Sequence, residues 1–99
     1  MKQDYRAYIV LISFDVLIEG ANSLKVKRGV INRIKDRIHS RFNASVAEIG
    51  HLDKWQRASM GVIMISNEKR KLQATVDMLH DMLAGFTDMA INDFSVEWL

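Results

Sequence analysis

Three features of this 99-residue sequence predict an α+β sandwich with its elements in the order βαββαβ. Two stretches repeat apolar residues at helical spacings of three and four. Four others are rich in β-branched and aromatic residues, as strands are. No proline, linker, low-complexity segment or internal repeat interrupts them.

Tyr5 to Ile18 reads as a long first strand with Tyr8, Val10, Ile12, Phe14, Val16 and Ile18 on one face. Its other face is also largely apolar, which places it in the middle of a sheet. Gly20 to Ser23 turns the chain into a helix from Asn22 to Phe42, with Ser23 as N-cap and Leu24, Ile31, Ile34, Ile38 and Phe42 on its apolar side. Ala44 to Ile49 is the second strand, Gly50 to Lys54 a hairpin loop, and Trp55 to Ile65 the third strand. Ser66-Asn67 caps a second helix in which Leu72, Val76, Leu79, Leu83 and Phe86 recur at four, three, four and three. Ala90 to Leu99 completes the set. The simplest closure is a single ferredoxin-like domain over residues 1–99, a four-stranded antiparallel sheet in the order 4-1-3-2 with two helices on one face.

An apolar content of 48% with 26% charge is ordinary for a soluble globular protein. With no cysteine there is no disulfide framework and no thiolate ligand or nucleophile, which fits the cytoplasm. The first apolar run starts late and is broken by Ser13 and Asp15, unlike a cleavable signal. It also falls far short of the roughly 20 residues of a membrane span, so no membrane role is expected.

A net charge of +2 is too small to imply nucleic acid, but the charge is unevenly distributed. The first helix holds Lys25, Lys27, Arg28, Arg33, Lys35, Arg37 and Arg41 against one acid, Asp36. From Leu72 onward there is no Lys or Arg, only Asp77, Asp81, Asp88, Asp93 and Glu97. Lys25, Lys27 and Arg28 oppose the helix dipole at about 0.3–1 kcal/mol each unless an anion answers them. A helix start with three cations suits a phosphate. Lys27, however, falls on the apolar stripe itself, and Arg37 and Arg41 sit in the last turns, where the dipole welcomes cations. The topology brings the helix start and the hairpin loop, with His51, Asp53 and Lys54, to the same end.

Three ordered motifs carry a family resemblance: Ser23-Leu24-Lys25-Val26-Lys27-Arg28 fits SLKxKR, Arg41 to Glu48 fits RFNxSVAE, and Asp53 to Ala58 fits DxWQRA. The chain thereby resembles, over nearly its whole length, the YlxP-like family of small bacterial proteins, a domain of unknown function. The resemblance implies a ferredoxin-like fold. It also implies a link to RNA or the ribosome, because such genes often lie beside those for translation initiation and ribosome maturation. It brings no catalytic residues and says little about the N-terminal extension, MKQDYRA.

Catalysis is not expected. His39, His51 and His80 have no metal-site spacing, no glycine-rich phosphate loop occurs, and the loop Glu19 to Asn22 lacks the arginine of ferredoxin-like acylphosphatases. Neither a metal nor a cofactor is implied. The six Met read as core filler. Trp55, at a strand start, fits core packing better than exposure; exposed, it could stack on an unpaired base. The stretch Ala58 to Ile65 of the third strand has no aromatic residue, against the sheet-face stacking of an RNA-recognition motif. The expected function is binding of structured RNA, with Lys25, Lys27 and Arg28 on phosphates, Arg33 and Lys35 extending the footprint, and Lys54 and Arg57 adding from the hairpin. The alternative is a dimeric protein- or ligand-binding regulatory module. The open sheet face keeps enough apolar residues from strands one and three to predict a homodimer through that face or a sheet edge.

Overall fold

The computed structural model of the protein describes residues 4–99. Their order is β1 (Tyr8–Leu17), α1 (Leu24–Arg41), β2 (Ser45–Gly50), β3 (Arg57–Ser66), α2 (Lys69–Ala84) and β4 (Ala90–Trp98). The strands form one sheet, β2-β3-β1-β4, with every neighbouring pair antiparallel. This is the expected βαββαβ arrangement, the strand order being the same one read from the other edge. Of the N-terminal extension, residues 1–3 lie outside the described residues; Asp4 to Ala7 are exposed and carry no regular structure. No helix among the described residues is long and apolar enough to cross a membrane.

Strand alternation divides the sheet into two unlike faces. Val10, Ile12, Phe14 and Val16 of β1 and Ala58, Met60, Val62 and Met64 of β3 are buried on one side. Ile31, Ile34 and Ile38 of α1 and Leu72, Val76, Leu79, Met82 and Leu83 of α2 close over them as one core. On the other side, register sets Ile9 beside Ile65 and Leu11 beside Ile63, and no helix covers them. Ile49 lies over Gly61 there; a Cβ on Gly61 would come within 3.2 Å of the Ile49 Cδ1. In β4 an extra residue shifts the register between Ser13 and Asp15, with Asp93 in the left-handed region at φ 55°. Phe94, next to this bulge, stacks on Phe14 with ring centroids 6.5 Å apart and takes His80 of α2 edge-on at 4.6 Å.

Three strand starts differ from the sequence expectation. β1 begins at Tyr8 rather than Tyr5, β2 at Ser45 rather than Ala44, and β3 at Arg57 rather than Trp55. The reason for the last is pairing. The last ladder partner of Leu17 is Arg57, and one further bond, Ile18 N–H to Gln56 O at 2.9 Å, ends the ladder. Trp55 has passed beyond the sheet. The expected caps hold at α1, where Ser23 Oγ accepts from Val26 N–H at 3.1 Å. At α2, Ser66 Oγ accepts from Glu68 N–H at 3.1 Å, and the N-cap position itself is Glu68, whose side chain makes no capping bond.

The largest departure is Lys27. It is 2% exposed, the one charged residue buried among the described residues. Its ammonium lies 2.7 Å from Glu48 Oε2 on β2 and donates to the His51 carbonyl at 2.7 Å. Glu48 Oε2 is shielded from solvent and no donor reaches it in hydrogen-bond alignment. Charge, rather than a well-directed hydrogen bond, therefore holds the carboxylate to Lys27. Breaking a buried pair by removing one partner is far costlier than removing both, because one charge is left stranded. Lys27→Ala is expected to lower unfolding free energy by about 3 kcal/mol, the low end of that range because Glu48 keeps some exposure. The double variant Lys27→Met/Glu48→Met should be closer to wild type than Lys27→Ala in urea unfolding. Equal losses for both would show that the pair is not a buried electrostatic unit.

Candidate nucleic-acid interface

The helical repeat splits the seven cations of α1 into separate groups. Lys25, Arg28 and Lys35 fall on one stripe; Lys25 and Arg28 are exposed and Lys35 is half-buried. Arg33, Arg37 and Arg41, four residues apart, fall on the other flank and line a groove beside the end of α2. Lys27 points inward between the two. Lys27 is accordingly not a surface phosphate ligand: its apolar-stripe position carries the ammonium to Glu48 instead of to water. Arg33 is ion-paired to Asp88 and so lies apart from Lys25 and Arg28 rather than extending their footprint.

The first turn of α1 contains no acidic residue. Lys25 and Arg28 make no ion pair among the described residues, so the dipole penalty on them stands unanswered within the chain. The hairpin loop lies directly against this helix start. The Lys27 ammonium holds the His51 carbonyl, which also accepts from Lys54 N–H at 3.0 Å. Gln56 Nε2 donates to the Ala21 carbonyl at 3.2 Å. His51 adopts φ 58°, an uncommon left-handed conformation that histidine tolerates better than most residues. The loop is thus fixed at both its start and its finish.

Its tip is exposed. Trp55 is 51% exposed and Leu52 62%, contrary to the expectation that Trp55 packs into the core. Trp55, Lys54, Asp53, Gln56 and Arg57 line an open cleft with Leu17, itself 44% exposed at the end of β1. Lys54 is exposed and has no acidic partner among the described residues. Arg57 instead reaches Asp15 Oδ2 at 3.4 Å, while Ser59 Oγ donates to Asp15 Oδ1 at 2.7 Å. Sequence reasoning placed Lys54 and Arg57 at this end but missed the apolar surface that goes with them. The available signal was the Leu52–Trp55 spacing across a loop: two large apolar residues where turn chemistry calls for polar ones.

The three stretches that carry the resemblance meet here. Lys27 of the first reaches Glu48 of the second, and Gln56 of the third bonds the turn that leads into the first. The chain belongs to the DUF503 family, proteins of unknown function. The family model, "Protein of unknown function (DUF503)", matches residues 9–96, from β1 into β4. The "Uncharacterized protein YlxP" of Bacillus subtilis (strain 168) is 32% identical over 84 residues, which span 85% of this chain and 91% of that protein.

Within this DUF503 chain the opposite flank of α1 has its own electrostatics. Arg33 holds the Asp88 carboxyl below the ordinary aspartate value of 3.8, chiefly by a side-chain hydrogen bond. A depressed folded pKa means the contribution of the pair is present above the unfolded value and is lost as pH falls through the folded one. In a carbon-detected NMR titration Asp88 should therefore have its midpoint below 3.8, and Arg33→Gln should move that midpoint upward. A midpoint unchanged by Arg33→Gln would mean that the pair does not persist in solution.

Proposed function

We propose that this protein binds RNA at the end of the sandwich formed by the start of α1 and the β2–β3 hairpin. It would do so in the cytoplasm, without a catalytic step, in the setting of ribosome maturation or translation that the family resemblance implies. The observation that carries this reading is Trp55, half exposed beside Lys54 on a loop pinned to a cationic helix start. Exposed aromatic rings next to cations bind unpaired bases by stacking and the backbone by charge. Lys25, Arg28 and Lys54 would take phosphates; Arg57, shared with Asp15, would contribute less. Lys27 serves by holding the loop in place. The open sheet face presents Ile9, Leu11, Ile63 and Ile65 from its two central strands, with no ring among them, so stacking falls to the hairpin.

A second reading, a dimeric regulatory module, is favoured by the same open face. Ile63 and Ile65, 42% and 60% exposed, are adjacent to Leu11 and Ile9, and Ile49, 56% exposed, lies over Gly61 on the same face. The one carboxylate that β1 places on this face, Asp15, is matched by Ser59 and Arg57. An apolar surface of this kind suits a two-fold contact with a second copy, with Glu97 of β4, which register sets beside Leu11, as an exposed carboxylate on the same face.

Fluorescence anisotropy with labelled single-stranded and hairpin RNA over a salt series tests the RNA reading. Each lost phosphate contact should flatten the plot of log affinity against log salt by about 0.7 for a single strand. Lys25→Ala/Arg28→Ala/Lys54→Ala should therefore lose affinity and slope together. Trp55→Ala should lose about 1–3 kcal/mol of binding with the slope unchanged. Variants that bind as wild type does would sink this assignment of the surface. For the second reading, light scattering should show a dimer that Ile63→Lys converts to a monomer; a monomeric wild type at high concentration would end it.

A further inference from the structure

Arg33, Arg37 and Arg41 are exposed, but they share one groove rather than dispersing over the helix surface. The rise of an α-helix sets successive members of the stripe about 6 Å apart, and all three line one groove of about 580 Å³ between α1 and the segment following α2. Each is held differently. Arg33 is neutralised by Asp88. The Arg37 guanidinium lies 5.5 Å from the centroid of the Phe86 ring. Arg41 is exposed at the end of the helix and has no acidic partner among the described residues.

An arginine resting on an aromatic ring loses little freedom when its N–H edges bind something else, since the ring already limits its motion. Two guanidiniums then remain without a matched acid in a concave, partly apolar site. The remaining carboxylate on the groove, Asp81, is 88% exposed and 3.9 Å from His80 Nδ1, so solvent screens it. Concavity, a stacked guanidinium and an uncompensated second one together suit an oxyanion that accepts forked hydrogen bonds. Carboxylates and phosphates both do, but a phosphate offers more acceptor oxygens to two forks at once.

We propose that this groove is a phosphate-binding site, in which Arg37 and Arg41 grip one phosphate group and Arg33, locked to Asp88, braces its far wall. The site is independent of the hairpin end and does not rest on the RNA reading. Two sources carry this chemistry, a terminal monoester, as on a mononucleotide, and an internal diester of a nucleic-acid strand.

NMR of the arginine Nε–Hε resonances in the full chain tests this. Inorganic phosphate, a nucleoside monophosphate and a dinucleoside monophosphate are added in turn, each against chloride at matched ionic strength. Saturable shifts at Arg37 and Arg41 are expected with phosphate and not with chloride. The monoester binding more tightly than the dinucleoside monophosphate assigns a terminal phosphate as the source; the reverse order assigns an internal one. Arg41→Gln, at an exposed position, should weaken binding about tenfold. Arg37→Lys, which keeps the charge and removes the fork, should weaken it comparably. Lys25→Ala/Arg28→Ala/Lys54→Ala should leave the shifts in place even if it abolishes RNA binding. Shifts that do not saturate, that chloride reproduces, or that Arg37→Lys leaves unchanged would overturn the proposal.

Discussion

One buried ammonium joins three parts of this protein that the backbone ladder alone would leave loosely related. Lys27 belongs to α1, Glu48 to the edge strand β2, and His51 to the loop beyond it. A charge taken out of water must find an opposite charge or strong acceptors, and here both are supplied within 2.7 Å. An edge strand has ladder partners on one side only, so this contact gives β2 a second anchor. It also fixes where the hairpin stands relative to the helix start.

That restraint bears on function through geometry. A loop held at its first residue by an ammonium and at Gln56 by a bond to the Ala21 carbonyl presents Trp55 and Lys54 in a defined direction. Rigid presentation lowers the ordering cost of binding. The stretches that make the chain recognisable as a DUF503 member therefore have a structural reason to occur together, apart from any ligand. Ser23 caps, Lys27 and Glu48 pair, Phe42 fills the core, and Gln56 ties the loop. The exposed members, Lys25, Arg28, Lys54 and Trp55, keep their side chains outside this framework.

The molecule also separates its charge by face. Lys25 and Arg28 look outward with no ion pair among the described residues, whereas Arg33 faces the acidic end of α2 and is matched by Asp88. Cations of one helix thus serve unlike purposes according to their angle about its axis. Residues two apart, such as Lys25 and Lys27, lie about 200° apart on that axis and enter different surroundings.

Period and composition were enough to read the element order, most core residues of both helices (Leu24 stays outside the core and Met82 joins it), the strand order and the Ser23 cap. These are local or follow from alternation, and a one-residue error in either would expose the whole apolar set. They also indicated that α1 is unusually cationic at its start. What they could not decide was the fate of any one side chain among these cations. The stripe put Lys27 on the apolar side, but its acidic partner stands 21 residues away in the chain, and Trp55 differs from a core tryptophan only by where the β1–β3 ladder stops. The pairing of Arg37 with Phe86 likewise spans two elements. Burial and ion pairing are properties of what packs alongside, so the tertiary structure alone assigned them; the sequence by itself determined the framework on which they are arranged.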